Sequence, residues 1–232
     1  MFFIGKSKKT FKFLKMAYIY LIRHTTPDVQ KGICYGQTNL NVMPTFEQEF
    51  AQIIEKLQLF SEKNPKNSIE KIYTSPLLRC KKLAETLGEN LLKNIMQNVD
   101  NQNISIDFAE DARLMEMNFG DWEMKTWEHI QENDQGNWMN NFVTVKTPNG
   151  ENFEGLLARV KHFWEEILVF LNQKENINKN IAITTHAGVI RAILALVLGF
   201  PLENAFRLEI NYGGICVLKH NKGFVQILQM NK

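Results

Sequence analysis

Short apolar runs alternate with longer amphipathic stretches along most of this chain. Apolar, β-branched and aromatic residues are concentrated in four short runs, as is typical of buried strands. In four longer stretches the apolar residues recur with helical spacing, which predicts helices that turn one face to a core. The predicted strands are 17–22, 69–74, 104–108 and 181–184, and the predicted helices are 44–60, 77–92, 153–171 and 189–198.

The last part of the chain predicts a hairpin. Residues 214–219 and 224–228 flank an Asn-Lys-Gly sequence, which is typical of a tight turn between antiparallel strands. Strands that alternate with helices favour a mostly parallel sheet that is covered on both faces. We therefore expect an α/β fold with three layers (α/β/α), a mostly parallel central sheet, helices on both faces and an antiparallel hairpin at one edge.

No linker divides the chain, so residues 16–232 are expected to form one domain. The preceding segment, 1–15, carries five lysines and no acidic residue. Met16 is a natural start that leads directly into the first strand, so we interpret 1–15 as a non-native or disordered extension. A basic, aromatic anchor on a membrane surface remains an alternative for this segment.

Composition and charge limit the kinds of protein and of binding partner that this chain can represent. Hydrophobic residues make up 44% of the chain and charged residues 22%, which is ordinary for a globular protein and excludes a disordered one. The net charge of +2 gives no sign of a nucleic-acid partner. The longest apolar run, 192–200, is too short to span a bilayer, so no stable membrane association is expected.

The cysteines indicate the compartment. Cys34, Cys80 and Cys216 are odd in number and far apart in the sequence. This pattern favours a reducing cytoplasm over a secreted disulfide framework. We therefore expect a cytoplasmic protein, and no pattern in the sequence indicates its oligomeric state.

Three of the predicted strands lead into cationic or imidazole side chains. The first strand runs into Arg23 and His24, the second precedes a helix with Arg79 in its first turn, and the fourth runs into His186. Ligands of open α/β sheets bind beyond the carboxyl ends of the strands, where helix N-termini add N–H donors. Two guanidinium groups and two imidazoles at this edge predict a phosphoryl pocket, because arginine binds tetrahedral oxyanions through paired donors.

Other catalytic arrangements do not appear in the sequence. Its five histidines show no HExxH or other zinc spacing, and no GxSxG elbow or two-metal acidic cluster is evident. We expect neither a metal nor an organic cofactor, which leaves a route through a histidine nucleophile. Nearby arginines would lower the pKa of His24 and keep its imidazole neutral for attack.

Four segments, taken in order, resemble the histidine phosphatase superfamily, also called phosphoglycerate-mutase-like. They are LIRHTTP (21–27), YTSPLLRCKKLAE (73–85), LMEMNFGDWE (114–123) and ITTHAGVIR (183–191). The resemblance covers about residues 16–230 and implies the phosphoglycerate-mutase-like fold. Within the superfamily, residues 22–40 and 148–160 are most similar to α-ribazole phosphatases, which act in cobalamin nucleotide-loop assembly.

The resemblance implies a catalytic role for five residues. His24 would be the nucleophile that becomes phosphohistidine. Arg23, Arg79 and His186 would clamp the oxygens of the transferring phosphoryl group. Glu116 matches the residue that donates a proton to the leaving group in the superfamily.

The resemblance also implies two substrate-binding residues and shows departures. Gln37 and Thr38 match positions in a loop that lies over the phosphate pocket. Asn39 stands where an aspartate is frequent, and Met124 stands where a glycine is common. These departures leave the chemistry intact and put the substrate in doubt.

The implied activity is metal-independent hydrolysis of a small-molecule phosphate monoester through a phosphohistidine intermediate, with α-ribazole 5′-phosphate as the substrate. A broad-specificity sugar or nucleotide phosphatase and a phosphoglycerate mutase remain as alternatives, and so does an inactive module that binds phospho-ligands. Aromatic residues within 120–147 are open to two interpretations, core packing or a substrate lid, and the polar insertion 88–103 has no assigned role.

Overall fold

The residues that the structure describes are built on a sheet of six strands. The computed structural model describes residues 16–62, 68–97, 105–134 and 138–232. Its strands are β1 (Ala17–Arg23), β2 (Ile69–Thr74), β3 (Asp107–Glu110), β4 (Asn180–Thr185), β5 (Ile215–Asn221) and β6 (Phe224–Gln229). They lie in the order β3-β2-β4-β1-β5-β6.

Four neighbouring strands of this sheet are parallel. β1 pairs with β4, β4 with β2, and β2 with β3, all in parallel register. β5 is antiparallel to β1, and β6 is antiparallel to β5. The mostly parallel sheet and the antiparallel hairpin at its edge confirm the predicted α/β fold.

Helices cover both faces of the sheet. The helices are α1 (Phe46–Glu62), α2 (Leu78–Met96), α3 (Trp127–Asn133), α4 (Trp138–Asn141), α5 (Phe153–Asn172) and α6 (Ala187–Leu198). Alternate residues of β1 point to opposite faces: Ile19 and Leu21 pack in a core with α5 and α6, and Tyr20 and Ile22 pack in a core with α1 and α2. This arrangement confirms the three predicted layers.

Some element boundaries differ from the prediction. β3 begins at Asp107, three residues later than expected, because its pairing with β2 starts at Lys71 opposite Asp107. α6 begins at Ala187, two residues earlier, directly after its N-cap residue His186. The short helix α3 was not predicted, and Thr126 caps it by accepting a hydrogen bond from the backbone N–H of His129 at 3.1 Å.

Part of the sequence interpretation concerns residues that the structure does not describe. Residues 1–15 lie outside the described ranges, and so do 98–103 of the polar insertion. The interpretation of 1–15 as an extension therefore stays a prediction. Within the described ranges, no helix has both the length and the apolar character that a membrane span needs.

Candidate active site

The carboxyl ends of β1, β2 and β4 lie side by side at one edge of the sheet. Arg23 at the end of β1 stands opposite Thr185, and Thr74 at the end of β2 stands opposite Thr184. Beyond these positions, β1 continues into His24 and β4 into His186, while β2 leads to α2. The register of the sheet thus places the candidate residues on one edge.

The ring of His24 is held in one orientation. The side chain is 1% exposed, and Nδ1 lies 2.7 Å from the carbonyl oxygen of Thr25. Because a carbonyl can only accept, Nδ1 carries the proton, and Nε2 accepts from Nε–H of Arg79 at 3.3 Å. Burial, followed by the charges of Arg79 and Arg23, lowers the pKa of His24 well below its usual value. The imidazole is therefore neutral, with its lone pair on Nε2.

The guanidinium of Arg79 is fully buried and fixed by backbone carbonyls. Nη2 donates to the carbonyl oxygen of Gly36 at 2.6 Å, and Nη1 donates to that of Thr38 at 2.9 Å. The ring centroid of Tyr35 lies 5.0 Å from Cζ of Arg79. The loop around 36–38 therefore sets the position of the guanidinium against His24.

His186 lies next to His24, with 5.0 Å between the ring centroids. Its Nε2 is 2.9 Å from Oγ of Ser75 and 3.3 Å from Sγ of Cys80. Burial, followed by the charges of Arg79 and His24, lowers the pKa of His186 well below its usual value. The site therefore holds two adjacent neutral imidazoles.

Arg23 borders the same pocket. Its Nη1 donates to the carbonyl oxygen of Ile210 at 2.6 Å, and its Cζ lies 3.8 Å from the ring centroid of Tyr212. Its Nε is buried and has no hydrogen-bond partner in the part of the chain that the structure describes. The hydroxyl groups of Tyr212 and Tyr35 are 2.8 Å apart, so a hydrogen bond links the tyrosine beside Arg23 to the tyrosine beside Arg79.

Glu116 reaches the pocket from the segment that follows β3. One carboxylate oxygen accepts from the backbone N–H of Met117 at 2.9 Å, and the other accepts from that of Gly188 at 3.2 Å. The backbone carbonyl of Glu116 accepts from the side chains of Gln37 at 2.9 Å and Arg159 at 2.8 Å. Both ends of the residue are therefore fixed.

Gln37 and Thr38 are held by Glu123. Their backbone N–H groups donate to its two carboxylate oxygens at 2.8 and 2.6 Å, and the hydroxyl of Thr38 donates to it as well. Neither residue lines the cavity described next. The structure therefore gives both side chains partners within the protein: Gln37 supports Glu116, and Thr38 is tied to Glu123.

A cavity of about 340 Å³ opens beside Arg23 and Glu116. A further arginine, Arg191, also lines it. Most of the remaining wall is aromatic or aliphatic, and the aromatic lining residues are Tyr35, Phe119, Trp127, Phe153, Phe206 and Tyr212. The cavity thus joins a polar end, at Arg23, Glu116 and Arg191, to an apolar body, and His24, Arg79 and His186 do not line it.

The aromatic residues of 120–147 have different positions. Trp127 lines the cavity, whereas Trp122 and Trp138 are buried in the core. Phe142 packs edge-on against Phe153, with ring centroids 5.9 Å apart. Of these four rings, Trp127 alone is placed to touch a ligand in the cavity.

Within the described ranges, no group of three or more His, Cys, Asp or Glu side chains is placed to hold a metal ion. The three cysteines are buried free thiols, and burial, as the main cause, raises the pKa of Cys34 to about 12.

Residues 19–232 match the family model described as the histidine phosphatase superfamily (branch 1). The chain belongs to the histidine phosphatase superfamily. A protein of Hydrogenobacter thermophilus provisionally named phosphoserine phosphatase 2 is 27% identical over 221 residues, which cover 94% of this chain and 96% of the relative. The adenosylcobalamin/α-ribazole phosphatase of Escherichia coli is 28% identical over 121 residues, covering 51% of this chain and 57% of the relative.

Solved structures share the fold of this histidine phosphatase. The α-ribazole phosphatase of Shigella flexneri superposes with a TM-score of 0.70 at 20% identity, covering 93% of this chain and 96% of that one. The mycobacterial glucosyl-3-phosphoglycerate phosphatase superposes with a TM-score of 0.74 at 20% identity, covering 93% and 99%. Family membership and phosphatase relatives together identify an enzyme, a phosphatase that acts on small phosphate substrates.

Sequence reasoning missed several residues of this site. Glu123 and Arg191 lie inside segments that carried the family resemblance, yet their types and spacing gave no sign of which group they would contact. Arg159 lies in a predicted amphipathic helix, where an arginine ordinarily faces solvent. Tyr35 and Tyr212 are 177 residues apart, and no local pattern links them.

Proposed function

We propose that this histidine phosphatase hydrolyses phosphate monoesters through a phosphohistidine at Nε2 of His24. The observation that carries the proposal is the fixed ring of His24, whose Nδ1–H donates to Thr25 while the lone pair of Nε2 faces Arg79. A neutral imidazole oriented in this way is a ready nucleophile. The alternative of an inactive binding module would need one of these groups to be missing or misplaced.

The surrounding cations stabilise the transferring phosphoryl group. Its transition state resembles metaphosphate, so charge and positioning dominate catalysis. Arg23 contributes its buried Nε–H, which has no hydrogen-bond partner among the described residues. Arg79 keeps its hydrogen bonds to the backbone carbonyls of Gly36 and Thr38. When the lone pair of Nε2 of His24 bonds to phosphorus, Nε–H of Arg79 loses that acceptor and donates to a phosphoryl oxygen instead.

Glu116 handles the proton in both steps. In the first step the Nε2–P bond of His24 forms, the P–O bond to the alcohol breaks, and Glu116 gives a proton to the departing oxygen. In the second step water attacks phosphorus, returns a proton to Glu116 and releases phosphate as the N–P bond breaks. General acid–base help of this kind contributes about 10²–10⁴ in rate. The chemistry needs no metal.

The substrate best suited to the cavity is α-ribazole 5′-phosphate. The aromatic wall next to Arg23 and Glu116, which includes Trp127 and Phe206, fits an aromatic base attached to the ribose of the leaving group. The similarity to the Escherichia coli α-ribazole phosphatase supports this choice. A second candidate is phosphoserine, which the H. thermophilus relative supports by matching along nearly the whole chain.

Rapid-quench labelling tests the phosphohistidine. With a ³²P-labelled monoester, the wild-type enzyme should give an acid-labile phosphoenzyme, and His24→Ala should give none and lose turnover. His129→Ala is the matched control, because His129 lies exposed on α3, and it should label normally. Full turnover by His24→Ala would overturn the proposal, and so would activity that is lost in EDTA and restored by a metal.

A panel of phosphate monoesters tests which leaving group the enzyme prefers. We expect the kcat/KM for α-ribazole 5′-phosphate to exceed that for p-nitrophenyl phosphate and 3-phosphoglycerate. Trp127→Ala should lower the value for α-ribazole 5′-phosphate about tenfold through lost stacking and leave that for 3-phosphoglycerate unchanged. A lower kcat/KM for α-ribazole 5′-phosphate than for p-nitrophenyl phosphate in the wild type would contradict the choice of substrate.

A further inference from the structure

Three candidate catalytic side chains are separated from the cavity. His24, Arg79 and His186 are at most 1% exposed, and none of them lines the cavity, although the cavity reaches Arg23 and Glu116. The lone pair of Nε2 of His24 is occupied by Nε–H of Arg79. A phosphate monoester in the cavity therefore cannot touch Nε2 of His24 until a side chain moves.

Two tyrosines lie between the cavity and these side chains. Tyr212 and Tyr35 both line the cavity. The ring centroid of Tyr212 is also 5.5 Å from that of His24 and 3.8 Å from Cζ of Arg23. The ring centroid of Tyr35 is 5.0 Å from Cζ of Arg79. Because aromatic rings at such distances are in contact, no phosphoryl group fits between the rings of Tyr212 and His24.

A hydrogen bond joins the two tyrosines to each other. Their hydroxyl oxygens are 2.8 Å apart, and either hydroxyl can be the donor. The bond connects segments that are 177 residues apart in the chain, so it holds both rings in place at once. Tyr212 is 37% exposed, which leaves its ring room to turn towards solvent once the bond breaks.

The backbone next to each tyrosine is fixed. The N–H of Gly213, directly after Tyr212, donates to the carbonyl oxygen of His24 at 3.2 Å. The carbonyl oxygen of Tyr35 accepts from the N–H of Thr38 at 2.7 Å. We therefore expect the side chains to move and the loops to stay. Exposed side chains change rotamer within nanoseconds, so such a movement is in equilibrium before any chemical step.

We propose that Tyr35 and Tyr212 form a gate that controls the access of the phosphate monoester to His24. In the closed gate, the hydrogen bond between the hydroxyls keeps the ring of Tyr212 against His24 and Arg23. In the open gate, that ring turns away and leaves both groups free for the phosphoryl group. The inference rests on the proposed role of His24 and adds the two residues that decide when His24 can be reached.

Chemical modification of His24 measures the gate. Diethyl pyrocarbonate acylates neutral imidazoles that it can reach, and mass spectrometry of the peptides reports each histidine separately. In the wild type, His24 should react far more slowly than His129, which is exposed on α3 and serves as the internal reference. Tyr35→Phe removes the hydrogen bond and keeps the ring. It should raise the rate at His24 about fivefold, the shift in equilibrium that one ordinary hydrogen bond supports.

A double-mutant cycle connects this effect to the bond between the two hydroxyls. Tyr212→Phe should match Tyr35→Phe, and the double variant should also give about fivefold, because both substitutions remove the same bond. Since substrate binds the open gate, the KM for p-nitrophenyl phosphate should fall by the same factor, with the change in KM rather than in kcat.

Tyr18→Phe is the control, because it removes a hydroxyl near the amino end of β1 and should keep the wild-type rates. Modification of wild-type His24 as fast as that of His129 would overturn the inference. So would an unchanged rate or an unchanged KM in both single variants, or independent effects that multiply in the double variant. A missing phosphoenzyme in the rapid-quench experiment would instead overturn the proposed function, while the modification of His24 still reports the gate, so the two failures are distinguishable.

Discussion

Glu116 and Gly188 are packed so closely that a β-carbon at position 188 would overlap a carboxylate oxygen of Glu116. The same glycine donates its backbone N–H to the other carboxylate oxygen at 3.2 Å. Gly188 lies in the first turn of α6, two residues after the N-cap residue His186. Because position 188 has no side chain, the helix that begins after His186 can come close enough to hold Glu116 by a hydrogen bond.

This contact predicts the effect of Gly188→Ala. Alanine is favoured over glycine in a helix by about 1 kcal/mol, so a harmless substitution would raise stability. We instead expect Glu116 to be displaced and kcat to fall about 10²-fold, the lower end of the contribution of a general acid. Steady-state kinetics with a monoester that has a poor leaving group measures the loss.

Gly88→Ala is the matched control for this substitution. Gly88 lies in α2, and among the described residues an added β-carbon would meet only Cδ1 of Ile72, at an ordinary 3.7 Å. It should leave kcat unchanged and raise the melting temperature slightly. An active Gly188→Ala enzyme with wild-type kcat would show that the position of Glu116 does not matter for turnover.

His24 and His186 predict how stability depends on pH. Both have a pKa lowered well below the usual value, chiefly by burial, whereas in the unfolded chain they titrate near pH 6.5. Below that pH the unfolded state binds more protons, so the free energy of unfolding falls as pH falls. Each histidine adds a slope of up to about 1.4 kcal/mol per pH unit until its folded-state pKa is reached.

Urea denaturation between pH 5.0 and 7.5 measures this slope. His24→Asn should remove the contribution of one histidine and flatten the curve. His129→Asn, on the exposed face of α3, should keep the wild-type slope. An unchanged slope in His24→Asn would mean that His24 takes up protons equally in the folded and unfolded states.

Glu123 lies outside the cavity, and we predict that it supports catalysis by holding the loop that positions Arg79. It accepts the backbone N–H groups of Gln37 and Thr38, and the carbonyl of Thr38 accepts from Arg79. Glu123→Gln replaces charge-assisted bonds with neutral ones and should loosen this loop. We expect kcat/KM to fall about tenfold, measured on any good monoester. Glu128→Gln, on the surface of α3, is the control and should retain full activity; equal kinetics for both variants would exclude this role.

Arg159 is predicted to position Glu116 through the backbone. Its guanidinium donates to the carbonyl oxygens of Arg113, Met115 and Glu116 at 2.6–2.8 Å and forms an ion pair with Glu151 at 2.9 Å. Arg159→Lys keeps the charge but cannot reach all of these acceptors. If about 2 kcal/mol of stability is lost, the melting temperature should drop by roughly 4–8 °C.

Activity separates positioning from stability in this variant. At temperatures where the variant is fully folded, Arg159→Lys should also lower kcat, because the backbone carbonyl of Glu116 loses a hydrogen bond from the guanidinium. Arg207→Lys, an exposed substitution, should change neither property. A lower melting temperature with wild-type kcat would restrict Arg159 to a structural role.

The local sequence was enough to predict most of the architecture. Short apolar runs such as 17–22 and 181–184, rich in β-branched and aromatic residues, become buried strands, and the amphipathic stretch 153–171 becomes α5. The predicted start of β3 was wrong because the end of a short strand is set by its partner: Asp107 pairs with Lys71. Propensity alone carries no information about that register.

The sequence by itself determined which groups follow the strands: Arg23, His24 and His186 stand where the chain leaves β1 and β4, and the rules of parallel sheets bring such positions to one edge. Only the tertiary structure decided which groups touch. Gln37 bonds to Glu116 across 79 residues, and Thr38 bonds to Glu123 across 85. Contacts between distant segments depend on packing, which no local pattern encodes, and the same packing placed Arg191 in the cavity.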